Sequence, residues 1–469
     1  MQSSPRRTTG SIMLLAALFS AFLPSLVLAA PAAKTNGTCS LKSTTSVGDV
    51  APVPVPPPSN SSTSGNLTDV VATGWYAGWL GDELPPSNIS WSKYSALTFA
   101  FATTTPDTSV IALDDQSAAL LPTFVSEAHC NGVDALLSIG GWSGSLYYSS
   151  AVGSSANRTI FVKAVLDLAD KYELDGIDFD WEYPNHQGIG CNVISDDDSA
   201  NFLSFLQELR NDTAGAKLKL TVAAGITPFA GADGTPMTDV SEFAKVLDHV
   251  AIMNYDIWGS WSDTVGPNAP LNDTCASVKA GSAVSAVKAW TDAKFPASQL
   301  VLGVAAYGHS FSVDQSAALD SSNTLEAYPP FNKDKQPLGD EDVPGAPPSV
   351  DQCGNTSGPG GTFNFNGMIA QGYLDATGKP ADGVDYRFDN CSQTAYVYNS
   401  TNEVMISYDD ATAFAAKGEF INNMNLAGFA VWHIAGDSND ILLDAISDAM
   451  EISDCPGGSD DGADDDNDS

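Results

Sequence analysis

The stretch Asp175-Gly-Ile-Asp178-Phe-Asp180-Trp-Glu182-Tyr-Pro184 decides how this chain is read. From Ile177 to Glu182 apolar and acidic residues alternate one for one, which is the period of a β-strand, whose successive side chains point to opposite faces. Ile177, Phe179 and Trp181 share a face suited to packing under helices, and Asp178, Asp180 and Glu182 share the other. Neighbours on one face of a strand stand about 7 Å apart. Three carboxylates stacked that closely in a confined site cannot all ionise. Mutual repulsion and loss of solvent raise at least one pKa and leave a protonated carboxyl near neutral pH. A solvated acidic loop would lack the strict alternation with apolar residues. A divalent-cation site is the other reading of clustered carboxylates, but no further acidic or amide cluster at metal spacing accompanies these. No metal and no cofactor is expected.

Working outward, short apolar runs recur along the chain. Candidate strands are Ala72–Trp79, Ala96–Ala102, Ala135–Ile139, Gly176–Asp180, Leu218–Ala223, His249–Met253, Leu300–Val304 and Ala427–Trp432. Between them lie amphipathic patterns: Phe161, Val165, Leu168 and Tyr172 fall at helical spacing, as do Phe202, Leu206 and Leu209. Buried-type strands separated by helices point to an α/β fold of parallel βα units closed into a (β/α)8 TIM barrel. An open doubly wound sheet fits the periodicity equally, and the strand count favours the barrel. Chemistry in such barrels sits at the carboxyl ends of the strands, where the acids of the fourth run would lie. From Ser310 to Glu403 the chain carries Gly, Pro, Asn and aromatic residues without this rhythm, and it reads as an insertion after the seventh strand. Cys353 and Cys391 both lie inside it, where a bond between them would staple it together.

The ends of the chain have another character. Arg6 and Arg7, the apolar run Ile12–Leu28 and the small residues Val27 and Ala29 make a secretory leader over 1–29, cleaved near Ala29. Pro24 interrupts a run already short for a membrane anchor. A Pro/Ser/Thr-rich linker over 30–68 follows, then the barrel over 69–309 and 404–452, and an acidic tail over 453–469 expected to be disordered. Asn-x-Ser/Thr sequons at Asn36, Asn60, Asn66, Asn88, Asn157, Asn211, Asn272, Asn355, Asn390 and Asn399 fit an exported glycoprotein. The seven cysteines lack metal-ligand spacing and read as disulfides, with one left over. A net charge of −37 excludes nucleic acid and anionic membranes as partners, since both need basic surfaces. A neutral polysaccharide meets no such objection.

These residues resemble glycoside hydrolase family 18, the chitinases. Asp175 to Pro184 is similar to that family's Asp-x-x-Asp-x-Asp-x-Glu signature. Ser138-Ile-Gly140-Gly141-Trp142 resembles its third-strand motif, Met253-Asn-Tyr255-Asp256 its sixth, Gly74-Trp-Tyr76-Ala-Gly-Trp79 its first, and Trp432 the tryptophan of its eighth. The resemblance implies the barrel with a small α+β insertion after strand seven. It also implies a monomer acting on chitin or N-acetylglucosamine oligosaccharides by a retaining mechanism in which the substrate's own acetamido oxygen is the nucleophile. Glu182 would donate the proton and later activate water, and Asp180 would orient the acetamido group. Asp178 would share a proton with Asp180, and Tyr255 would bond the acetamido oxygen. Trp432 would form the floor, and Asp256, Met253, Tyr76, Gly140, Gly141, Trp142 and Tyr183 would border the sugar. Asp175 and Ser138 would support the acid cluster.

Trp258 and Trp261 are weaker stacking candidates, and the insertion's Tyr328, Phe331, Tyr373 and Tyr386 are candidates for a groove wall. His309 stands where many relatives carry arginine, which leaves the contacts beside the cleavage point open. Two other functions share the pattern: an endo-acting hydrolase of the N-glycan core, and a lectin that binds chitin without cleaving it. The lectins of this fold typically lose the proton donor, and Glu182 is present.

Overall fold

The computed structural model describes residues 70–452. The expected leader, linker and acidic tail lie outside the described residues, as do Cys39 and Cys455.

Eight parallel strands form the central ring: β1 (Val71–Ala77), β2 (Ala96–Thr104), β3 (Asp134–Gly140), β4 (Gly176–Asp180), β5 (Lys219–Ala224), β6 (His249–Ile252), β7 (Leu300–Ala305) and, after the insertion, β15 (Gly428–Trp432). Around the ring they run β1-β15-β7-β6-β5-β4-β3-β2, and pairing of β1 with β2 closes the barrel. Each expected strand is present, displaced by no more than a residue or two at its ends. Helices pack outside it, among them α1 (Asp115–Cys130), α2 (Ser155–Tyr172) and α3 (Asp198–Asn211). The helical spacing read in the sequence is the buried stripe: Phe161, Val165 and Leu168 of α2 and Phe202, Leu206 and Leu209 of α3 are all buried. The Ser154 side chain caps α2 by accepting the Asn157 N–H. The outward face of β4 joins this layer, with Trp181 stacked on Tyr148 at 5.0 Å between ring centroids. The barrel interior is lined instead by small residues, including Ala100, Ala223, Ala251 and Ala430, which leave room for the large Trp75 side chain.

The insertion is built on an antiparallel sheet of β8 (Tyr307–Ser312), β11 (Thr362–Asn364), β12 (Asp385–Asp389), β13 (Thr394–Asn399) and β14 (Val404–Tyr408), in the order β11-β8-β14-β13-β12. A separate hairpin, β9 (Ser349–Val350) with β10 (Thr356–Ser357), projects from it. The sheet starts before Ser310 and runs past Glu403. Tyr307-Gly-His309 reads in sequence as part of the barrel, but after a break at Ala306 it is the first half of the insertion's entry strand.

The two bonded cysteines of the insertion do not pair with each other. Cys353 bonds Cys191 and Cys391 bonds Cys275, so each bridge ties the insertion to a barrel loop rather than stapling the insertion to itself. Among the described residues Cys130 is the free thiol.

Candidate active site

Parallel register places the polar partners of β4. Asp178 lies level with Ser138 on β3 and with Thr221 on β5. Ser138 Oγ donates to Asp178 Oδ2 at 2.8 Å and Thr221 Oγ1 to Oδ1 at 2.7 Å. Trp75, pointing inward from β1, donates its indole N–H to Oδ2 at 3.1 Å. Burial raises the Asp178 pKa, and these three donors work against it by favouring the charged form. Both oxygens of Asp178 are thereby committed to hydrogen-bond donors, an arrangement for holding a carboxylate rather than a cation.

One step up the strand no such donors offset the burial. Asp180 is buried, and its Oδ1 has no hydrogen-bond partner. Burial first, then the charges of Glu182 and Asp178, lift its pKa well above the usual carboxylate range. Glu182, just past the end of β4, is lifted to about 7 by burial, with the Tyr183 hydroxyl acting the other way and the Asp256 charge adding to the rise. Ser145 Oγ accepts the Glu182 N–H at 3.1 Å, and Asn192 Nδ2 donates to the Glu182 carbonyl at 3.1 Å, so the backbone that carries this acid is held from two sides. The neighbouring Tyr255 hydroxyl keeps its proton, since burial raises its pKa far above the ordinary value.

A cleft of about 940 Å3 opens above this ladder. Asp180, Glu182, Tyr183, Met253, Tyr255, Asp256, Gly140, Gly141, Trp142 and Trp432 all border it. Gly140 is needed for a close approach: its φ is +114°, and a Cβ there would stand 2.0 Å from the carbonyl oxygen of Asp180. Trp432 packs against Trp75, Trp79 and Phe101 with centroids 5.6–6.3 Å away, forming an aromatic floor. Beyond the end of β6 Asp256 holds a left-handed φ of +56°, unusual for a residue with a side chain. Tyr307 donates to its Oδ1 at 2.8 Å, and His309 Nε2 lies 2.7 Å from the same oxygen. His309 therefore serves as a partner of Asp256, itself braced edge-on by Trp261.

Four expectations fail on position. Tyr76 does not reach the cleft: it points outward from β1, stacks on Phe124 of α1 and donates to the Leu84 carbonyl. Strand alternation puts its neighbour Trp75 inside instead. Asp175 stands at the far end of β4, where it contacts His129 of α1 and accepts the Ala135 N–H, so it fastens a helix to the barrel rather than supporting the acids. Trp258 is buried against Tyr328. Tyr328, Phe331, Tyr373 and Tyr386 are absent from the cleft lining, and the first three pack on aromatic neighbours.

Residues 71–437 match the model of the family described as Glycosyl hydrolases family 18. The chain belongs to that family. Two curated relatives are each called "chitinase-like effector". The protein of Moniliophthora roreri is 51% identical over 82% of this chain and 94% of its own length. That of Moniliophthora perniciosa is 50% identical over 84% and 90%. Among solved structures, a chitinase of Rhizomucor miehei aligns with a TM-score of 0.71 at 32% identity, covering 81% of this chain and 99% of the other. Family 18 membership agrees with the β4 motif and with the topology. Thr221, Trp75, Trp79, Phe101 and Ser145 escaped sequence reading. For Trp75 the signal was available, because the alternation applied to β4 applies to β1. For Thr221 and Ser145 it was not.

Proposed function

We propose that this protein is a secreted chitinase that hydrolyses β-1,4 bonds of chitin and N-acetylglucosamine oligomers with retention of configuration. The observation that carries the reading is the ladder along β4: Asp178 tied down by three hydrogen-bond donors, then Asp180 and Glu182, both pushed by burial toward their protonated forms and opening onto an aromatic-floored cleft. With a pKa of about 7, Glu182 carries its proton across the acidic range and gives it to the glycosidic oxygen as the bond to C1 breaks. The acetamido oxygen of the same sugar attacks C1, and no second enzyme carboxylate is required. The unpartnered Oδ1 of Asp180 accepts the acetamido N–H and orients that group, while burial first, then the neighbouring Glu182 and Asp178, favours a proton on Asp180. The Tyr255 hydroxyl donates to the acetamido oxygen. Glu182, now ionised, takes a proton from water, which attacks C1 from the face the leaving group occupied and restores the original anomer. Two disulfides fit an oxidising, extracellular setting.

The test is release of soluble products from colloidal chitin. Glu182→Gln keeps the shape but has no transferable proton, so turnover should fall by about 100-fold or more while oligosaccharide binding persists. The first product seen by time-resolved NMR should be the β-anomer. Near-normal turnover in the variant, or an initial α-product, would overturn the reading. A second reading, capture of chitin oligomers without cleavage, is favoured by the effector name of the half-identical relatives. It predicts a wild-type protein that binds oligomers and releases none.

A further inference from the structure

The β9–β10 hairpin belongs to an arm, 343–360, that is anchored on opposite sides of the cleft. Its base stands on the β7 side. There Thr362 pairs with His309, and His309 contacts Asp256 at the cleft edge. The Asp342 carboxylate gathers the two legs at that base by accepting the N–H groups of Gly339, Gly360 and Gly361 at 2.7, 3.0 and 2.9 Å. The tip stands on the β3–β4 side. Gln352 Nε2 donates to the Ser143 carbonyl, Asn355 Nδ2 donates to the Ile189 carbonyl at 3.2 Å, and Cys353 is bonded to Cys191. Ser143 and Gln187 at this end line the cleft, as Asp256 does at the other. In the closed ring β3 stands four places from β7, which is diametrically across.

The two points that fix the segment lie across the carboxyl-terminal face of the barrel from one another. Between its anchors the segment is open to solvent: Val343 and Val350 are 69% and 67% exposed, and no residue of the arm is among those that line the cleft. The shorter leg, 355–361, reaches at most about 25 Å when fully extended, which bounds the gap being bridged. Hairpin pairing stiffens the arm, and the Asp351 side chain, accepting the N–H groups of Cys353 and Asn355 at 2.8 Å, shapes its tip.

We propose that this arm is a roof fastened by the Cys191–Cys353 bond, and that it makes the cleft a covered passage which a chitin chain enters by an end rather than by settling in from above. The inference rests on the reading of the cleft as a chitin site. It deepens that reading by assigning the preferred substrate class, chains with a free end. The insertion then acts on substrate through the disulfide-bonded arm, and not through the wall aromatics, which pack elsewhere.

The test uses binding, so that it stands whether or not the protein proves to hydrolyse chitin. In the full chain carrying Glu182→Gln, association is measured for an N-acetylglucosamine octamer bearing a bulky protein cap at one end and for the same octamer capped at both ends. A fixed roof excludes the doubly capped octamer, which should associate at least about 10-fold more slowly than the singly capped one. Cys353→Ser, or replacement of 344–358 by a short glycine linker across the Asp342–Gly360 contact, should bring the two rates together. The deletion guards against a folding defect in the cysteine variant, and binding of the singly capped octamer reports that each variant is folded. Equal rates in the fastened protein, or a difference that survives both openings, would overturn the roof. Absence of hydrolysis in the wild type alongside the expected binding ratios would instead overturn the enzyme reading and leave the roof standing.

Discussion

The barrel mouth and the insertion hold their aromatic residues in opposite ways. At the mouth, Trp79 and Trp142 stand 46% and 52% exposed, beside the floor made by Trp432 and Phe101. In the insertion, Phe311, Tyr396 and Tyr398 are fully buried in a cluster of their own, with Phe331 packed against it. The reason lies in what each region needs in order to fold. The barrel already has a continuous core between its strands and outer helices, so the mouth rings add little to it. Leaving them in water forfeits burial energy of about 25 cal/mol per Å2 of apolar surface, a loss that a bound sugar face would recover under the proposed function. The insertion's main sheet joins the barrel core through one face, with Val397 and Ile406, and needs the rings of this cluster to cover the other. An aromatic residue in this chain thus reports function when it is exposed at the barrel mouth, and packing when it lies in the insertion.

The contrast can be broken most decisively in the insertion. Phe311→Ala removes a ring that is fully buried against Phe331, and it should cost about 3–5 kcal/mol in chemical denaturation. A loss below 1 kcal/mol would show that the insertion's rings are not its core. Next in size is the response to pH. Because burial raises the Glu182 pKa to about 7, its acid form is the one present below that value and is lost above it. The kcat/KM for an oligosaccharide should therefore fall roughly tenfold per pH unit above about 7. A descending limb that starts near the ordinary carboxylate range would mean that the cleft does not hold this proton. The smallest effect belongs to the mouth. Trp142→Ala should weaken oligomer binding by about 3- to 10-fold, in line with one lost ring contact. Its unfolding free energy should stay within about 0.5 kcal/mol of wild type, as expected of a surface position. A large loss of stability with unchanged binding would reverse the assignment of the two regions.

Much of this was legible because the signals are local. The period-two alternation from Ile177 to Glu182 told which side chains face the barrel interior, and β4 runs Gly176–Asp180, the span read from the sequence. The same rule, had it been applied to β1, would have chosen Trp75 over Tyr76. The helical stripes of α2 and α3 were readable for an equivalent reason, a fixed turn of 3.6 residues. Asp175 misled because it belongs to the same motif as the acids, yet it sits before the strand begins and so at the opposite end of the barrel from Glu182.

What the sequence determined alone is therefore the set of elements, the facing of each strand and the identity of the acids, since backbone sterics impose those patterns on neighbours in the chain. What only the tertiary structure decided is which groups meet across the chain. Trp75 reaches Asp178 from 103 positions away, and Thr221 reaches it from 43. Cys191 pairs with Cys353 across 162. His309 becomes the partner of Asp256 only because the entry strand of the insertion, which follows β7, brings it beside the segment that follows β6. Such contacts depend on strand register and barrel closure, which are set by the packing of the whole molecule and leave no periodic trace along the chain.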